Sequence, residues 1–394
     1  MNPKLDLPTP QKRALDLVTE VAREKDCRPF LVGGPVRDLL LGRRAIDVDL
    51  TLEEGSSTLA RALARRIDGR VRSFPQFLTY KVTADGMPEI DIATARKERY
   101  RTPGSLPAVS PGKLRDDLMR RDFTINAIAL DLIDGSLHDP AAGERDLREG
   151  IIRILHERSF LDDPTRIFRA VRLATRLGFS VEAETISRMG EAIAAGALES
   201  VTKERLWREI FLAMEEENAP AILVALSEQG ALASTIGAGI TAEAEQTLER
   251  VREALARGSD LDRYVLYTGA LLRGAESPEQ RLEGSGFSQK RARNVLQIAR
   301  ELPRFEQALA VQRETGYEHG EAKTLQGFAF LASLAGDLPS ARRHYEQAVA
   351  ILRGNGDQRS TAMALHNLAA ILFELGDFAA ARAARTLSRL ARLT

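Results

Sequence analysis

The sequence predicts an α+β protein. A small mixed or antiparallel sheet with helices fills residues 1–150, an all-helical body follows, and helical repeats close the chain. Three observations carry this. Short apolar or alternating runs ended by glycine occur only before about residue 150. Helical periodicity takes over from there. From about 304 the chain repeats itself at an offset of 40.

Taken in order, PFLVGG (29–34) reads as a buried strand ended by glycines. PVRDLLLG (35–42) reads as a short helix with Pro at its start and Gly at its end. AIDVDLTLE (45–53) alternates like a strand, STLARALARRID (57–68) is helical, and RVRSF (70–74), LTYKVT (78–83) and EIDIATA (89–95) are further strands. Helices from 150 to about 300 break at STIGAGI (234–240) and RGAESPEQRLEGSGFSQ (273–289). FEQALAVQRETG (305–316) returns as YEQAVAILRGNG (345–356). LAGDLPSAR (334–342) returns as ELGDFAAAR (374–382), aligning Gly336 with Gly376 and Asp337 with Asp377. Small and aromatic residues at helical spacing around a Gly-Asp turn resemble tetratricopeptide repeats. About two such repeats fit, fewer than the roughly three needed to stand alone, so they are expected to stack on the preceding helices. The expected division is 1–150, 151–200, 201–303 and 304–394.

A chain of 394 residues exceeds one core, and its 44% hydrophobic and 28% charged content exclude a disordered or collagen-like chain. One cysteine, Cys27, allows no intramolecular disulfide and reads as a small core residue. No apolar stretch nears the roughly 20 residues of a membrane span, and the N-terminus has no signal core, so the expected location is the cytoplasm without membrane contact. The 56 basic residues balance 56 acidic ones. That sum alone argues against a nucleic-acid binder. It conceals a local excess: residues 96–121 hold eight Lys/Arg against three Asp/Glu.

In AIDVDLTL, Ile46, Val48 and Leu50 point to one strand face, and Asp47, Asp49 and Thr51 to the other. Carboxylates two residues apart on a strand lie roughly 6.5–7 Å apart at Cα, close enough to share two cations about 3.5–4 Å apart. Asp91, between Ile90 and Ile92, adds a third acid on another strand. All-oxygen donors without Cys or His suit Mg²⁺. Upstream, Gly33 and Gly34 form a strand-to-helix turn where backbone can approach a phosphate, followed by Arg37.

FLVGGPVRDLLLGRRAIDVDL, then RRDFTINAIA (120–129), then DDPTRIFRAVRLATRLGF (162–179) resemble the class II tRNA nucleotidyltransferases, the family of CCA-adding enzymes and bacterial poly(A) polymerases. HDPAAGERDLREGIIR (138–153) and TKERLWREI (202–210) fit the same order, so the resemblance spans roughly 28–300. It implies a nucleotidyltransferase head, a helical neck that reads the nucleobase and an RNA-binding body. Asp47 and Asp49 would hold two Mg²⁺ ions, with Asp91 as the third catalytic carboxylate. Gly33, Gly34 and Arg37 would hold the triphosphate. Asp122 would contact the ribose, with Arg121 and Asn126 shaping that site. Asp163 and Arg166 would read the base, and their i, i+3 spacing suits one helix face. A carboxylate beside a guanidinium matches the edges of cytosine and adenine, which both donate from an amine. Asp162, where the family has Glu, reads as a helix cap before Pro164. Arg169 and Arg172 are assigned to the nucleotide as well; with Arg176 they also fit a solvated face.

The implied activity is template-independent completion of the tRNA 3′ end (C74, C75, A76) from CTP and ATP. The alternatives are A-addition alone, then CC-addition or poly(A) synthesis, then a non-catalytic repeat adaptor. The repeats themselves fit either RNA or a protein partner. His138-Asp139 resembles a phosphohydrolase metal dipeptide, but the other histidines are scattered. Trp207 reads as core.

Overall fold

The computed structural model describes residues 9–391 except 44–46, 238, 258–261, 274, 276 and 335. The chain divides into two compact units, the first ending at Val201 and the second beginning at Thr202.

In the first unit, α1 (Thr9–Glu24) precedes β1 (Phe30–Val32), α2 (Gly34–Leu40), β2 (Val48–Leu52), α3 (Ser56–Arg66), β3 (Arg70–Phe74), β4 (Thr79–Thr83) and β5 (Ile90–Thr94). A separate antiparallel hairpin, β6 (Arg96–Arg99) and β7 (Ala108–Pro111), leads to α4 (Leu114–Met119). β8 (Ala129–Asp131) and β9 (Leu137–His138) then complete a seven-stranded sheet in the order β3-β4-β5-β2-β1-β8-β9, in which β2 and β5 are the one parallel pair. Val48, Leu50 and Leu52 are buried as their alternation requires, and α3 packs Leu59 and Leu63, one turn apart, on the sheet. Each such side chain contributes about 1.5–3 kcal/mol through burial. The expected inward position of Ile46 lies outside the described residues. Cys27 is half-buried on the wall of a cleft rather than in the core.

α5 (Gly143–Glu149) follows. β10 (Ile151–Ile152) pairs in parallel with β11 (Ser180–Val181) around α6 (Ser159–Asp162) and α7 (Thr165–Leu177), and α8 (Ala183–Ala194) comes next. Strand structure therefore continues past residue 150, in pieces too short to show a period of two.

The second unit is helical throughout: α9 (Lys203–Glu215), α10 (Ala219–Glu228), α11 (Ala231–Ile236), α12 (Ala242–Arg257), α13 (Arg263–Leu271), α14 (Pro278–Arg281) and α15 (Gln289–Thr315). Trp207 is buried against Phe211 and Phe287, as its core reading requires. The compositional change expected at 304 falls inside α15, which runs through Pro303. The repeats thus grow from the last body helix.

They continue as α16 (Glu318–Leu334), α17 (Leu338–Gly354), α18 (Gln358–Glu374) and α19 (Phe378–Leu390). The helix-turn unit is twenty residues, half the offset seen in the sequence. Gly316, Gly336, Gly356 and Gly376 all take positive φ at successive turns. Asp337, Asp357 and Asp377 accept from the backbone N–H of Ser340, Ser360 and Ala380 at 3.0, 2.9 and 3.1 Å, capping one helix each. Alternate helices differ in side chains enough to hide the shorter period. Among the described residues no helix is long and apolar enough to cross a membrane.

Candidate active site

Asp49 and Asp91 are register partners across the parallel β2–β5 pair, so their side chains share one sheet face. Burial pushes the Asp49 carboxyl up to about 6, and the charges of Asp47 and Asp91 add to the shift. Asp91 is also raised, chiefly by burial. Its Oδ1 is buried without a hydrogen bond, with Lys81 Nζ 3.5 Å away. Asp47 is exposed at the strand entrance. Crowded carboxylates of this kind, free of Cys and His, fit a hard divalent cation, whose charge relieves the repulsion. Among the described residues no three His, Cys, Asp or Glu side chains converge on one metal position. The fit therefore rests on the Asp47–Asp49 pair, while Asp91 is drawn toward Lys81.

Beside these acids lies the glycine turn. Gly33 has φ 75°, and a Cβ there would come within 2.5 Å of Arg121 Nη1. Its N–H is spent on the Ile128 carbonyl at 3.2 Å. What Gly33 supplies is space for the Arg121 guanidinium, whose charge acts on Asp49.

Arg121 is held from behind by Asp117, which the sequence analysis missed. Asp117 is fully buried and accepts from Arg121 Nη2 at 3.1 Å and Arg120 Nη2 at 2.7 Å. Burial opposes its charge, yet the two guanidiniums hold the carboxyl below the usual range. Arg120 also bonds Glu98 at 2.9 Å, and Glu98 in turn accepts from Arg96 and Tyr100. The spacing of Asp117 to Arg121, i to i+4 at a helix end, was the available signal.

A second chain of bonds runs from α2. Arg37 is buried, donates to Asn126 Oδ1 at 2.8 Å and pairs with Asp38 at 2.7 Å. Asn126 Nδ2 donates to Asp122 Oδ1 at 2.9 Å, and Asp122 Oδ2 meets Arg169 Nη2 at 2.6 Å. Burial lowers Arg37, while Arg169 and Asn126 keep the buried Asp122 carboxyl below its ordinary value against the effect of burial. Arg37, Asp122, Asn126, Arg169, Arg172 and Arg176 line one recess of about 80 Å³. Arg172 and Arg176 thus stand with the assigned residues.

Asp163 and Arg166 are arranged differently from the expectation. Asp163 lies outside α7, with extended backbone, and its Oδ1 accepts from Thr165 Oγ1 at 2.7 Å. The N-cap position of α7 is Pro164, with Asp163 also accepting from the Thr165 N–H at 3.3 Å; Asp162, expected as the cap, instead faces Arg158 at 3.6 Å. Arg166 is buried, donating to Ser159 Oγ at 2.7 Å and to the Arg120 carbonyl at 2.8 Å. The two do not share a helix face, and neither lines the arginine recess. His138 packs edge-on against Phe30, and Asp139 caps α5 through the N–H groups of Gly143 and Glu144, so that dipeptide is structural.

An Asp-x-Asp strand and a Gly-Gly turn on one mixed sheet, with a cationic recess between α2 and α7, form a candidate nucleotide-binding head. Residues 29–153 match the Poly A polymerase head domain family, and residues 302–354 match a tetratricopeptide repeat family. Over 199 residues the chain is 44% identical to an A-adding tRNA nucleotidyltransferase of Aquifex aeolicus, covering 50% of this chain and 24% of that protein. It is 35% identical to the multifunctional CCA protein of Stenotrophomonas maltophilia, covering 64% and 65%. A solved structure described as a tRNA-processing enzyme complex superimposes with TM-score 0.66 at 30% identity, covering 83% of this chain and 89% of that one. The Thermotoga maritima CCA-adding enzyme complexed with tRNA superimposes with TM-score 0.65 at 27% identity over 77% and 73%. The chain belongs to the class II tRNA nucleotidyltransferases, with tetratricopeptide-like repeats following the head domain in sequence. It spans only part of the curated relatives it matches, about a quarter of the A. aeolicus protein.

Proposed function

We propose that this chain is a template-independent tRNA nucleotidyltransferase that completes the 3′-terminal CCA from CTP and ATP with release of pyrophosphate. The observation carrying this reading is the adjacency, within one unit, of the Asp47–Asp49 carboxylates, Arg121 and the Gly33 turn. The Arg37–Asn126–Asp122–Arg169 chain extends it. Support for the substrates comes from relatives named for A or CCA addition and from solved CCA-adding enzymes with CTP and ATP.

Asp47 and Asp49 would hold Mg²⁺. Bound there, the metal supplies charge that acidifies the RNA 3′-hydroxyl and stabilises departing pyrophosphate. Arg121, fixed by Asp117, presents its guanidinium between the acids and the glycine turn. Arg37, Arg169, Arg172 and Arg176 offer positive charge to the triphosphate around Gly33 and Gly34. Asp122, oriented by Asn126, is the acceptor for a ribose hydroxyl. Base reading by Asp163 and Arg166 requires Arg166 to exchange its bonds to Ser159 and Arg120 for bonds to the base. Residues 1–150 then serve as the catalytic head, 151–200 as the neck and 201–303 as the RNA-binding body.

A second reading, addition of the terminal A alone, is favoured by the 44% and 38% identities to relatives named A-adding. The test gives the protein tRNAs ending before C74, at C75 and at A76, with CTP, ATP or both and Mg²⁺. CCA addition to the shortest tRNA is the expected result. Incorporation of A alone at the C75 end selects the second reading. Long A tails on unrelated RNA indicate a polymerase, and no incorporation by the folded protein removes both readings.

A further inference from the structure

The basic excess of the repeats lies at the C-terminal end of the sequence. Residues 304–377 carry seven Lys/Arg and nine Asp/Glu, whereas 378–394 carry four arginines and no acid. Within α19, Arg382, Arg385 and Arg389 are all exposed, and none has a salt bridge among the described residues.

The helix one repeat earlier shows how unusual this face is. At an offset of 40, buried Ala341 corresponds to buried Ala381. Tyr345 and Val349, however, are buried in the repeat core, while Arg385 and Arg389 stand exposed at their positions. Arg342 is neutralised by Glu346 at 2.8 Å, but the residue one turn after Arg382 is Thr386. Two core positions and one paired arginine of α17 are thus replaced in α19 by three exposed arginines without a salt bridge among the described residues.

The row begins with an aromatic group. Phe378 is 60% exposed and lies one turn before Arg382. It packs edge-on against Phe373, itself 59% exposed, with centroids 5.2 Å apart. Residues 378, 382, 385 and 389 share one stripe of the helix. Exposed rings beside a line of arginines match what single-stranded or looped nucleic acid offers, phosphates for the cations and an unpaired base for the ring. Acidic side chains alone would satisfy the arginines but offer no planar group to the phenyl pair, whereas RNA supplies phosphate and base together.

We propose that the Phe378–Arg382–Arg385–Arg389 ridge of α19, in the second unit, is an RNA-contact surface that grips phosphodiester backbone. The proposal rests on the tRNA reading only for the identity of the polyanion. Its test compares the full chain with R382Q/R385Q/R389Q. Full-length tRNA binding is measured across a salt series, and nucleotide addition is measured on a short acceptor-stem RNA with the same 3′ end. The triple variant should bind tRNA about tenfold or more weaker. Its log–log salt slope should be shallower by about 2–3, with addition to the short RNA unchanged. Phe378→Ala should weaken binding while leaving the salt slope unchanged, since it removes stacking and no charge. Wild-type affinity and slope in the triple variant would overturn the proposal, as would tighter binding of the wild type to polyglutamate than to tRNA. A wild type that binds tRNA but adds no nucleotide counts against the transferase reading and leaves the binding comparison decisive for this ridge.

Discussion

Arg37 donates to the side-chain oxygen of Asn126 at 2.8 Å, and the amide nitrogen of the same Asn126 donates to Asp122 at 2.9 Å. One neutral side chain thus joins a buried cation to a buried anion, and both ends of the amide are used.

Asn126→Ala removes one buried hydrogen bond from each group, leaving Arg37 with Asp38 and Asp122 with Arg169. Losing buried hydrogen bonds to charged groups costs about 1–3 kcal/mol. The expected result is a lower melting temperature together with a rise in KM for the nucleotide of about tenfold or more. Thermal unfolding and steady-state kinetics check the two effects. Asn126→Asp, which removes the donor facing Asp122, should be at least as harmful.

Asp117→Asn tests the hidden anchor of Arg121. Breaking a buried ion pair costs about 3–5 kcal/mol. The folded-state carboxyl of Asp117 lies below its ordinary value of 3.8, so its stabilisation is present above that value and fades as pH falls through the lower folded value. Urea unfolding should show a large gap between wild type and variant at pH 7 that narrows toward pH 3. A gap independent of pH contradicts the ion-pair account.

Gly33→Ala places a Cβ 2.5 Å from Arg121 Nη1 at a residue with φ 75°. The strained backbone alone costs about 1–3 kcal/mol. Displacement of the arginine should raise the nucleotide KM more than it lowers stability. Gly42→Ala also substitutes at positive φ, but meets no atom within 4 Å, and serves as the control that loses stability without raising KM.

Each aspartate cap of the repeats is separable from the chemistry. Asp337→Ala, Asp357→Ala and Asp377→Ala should each cost about 1 kcal/mol of stability. Addition to a short acceptor RNA should not change.

Much of this arrangement was legible in the sequence, for identifiable reasons. Strong local patterns gave the strand carrying Asp49, the Gly33 turn, α3 and the 40-residue repeat, because alternation and glycine punctuation are encoded within a few residues. The short strands β8 to β11 were not legible: two or three residues hold no period, and their pairing is set by tertiary contacts. Arg169 and Arg172 could be placed near the nucleotide by resemblance alone, whereas their meeting with Arg37 depends on where α7 lies against the head. Asp163 and Arg166 were misjudged as a pair on one face because Pro164 delays the helix by one residue. The twenty-residue unit was missed because Gly356-Asp357 sits between helices whose side chains do not match those of the neighbouring turns.

The most direct test of the central claim is incorporation of labelled ATP into tRNA ending at C75, measured for the wild type and for Asp47→Ala/Asp49→Ala, with tRNA affinity measured alongside. The account predicts one added A by the wild type. It predicts none by the variant, whose tRNA affinity stays close to wild type. Incorporation retained without both carboxylates would contradict it.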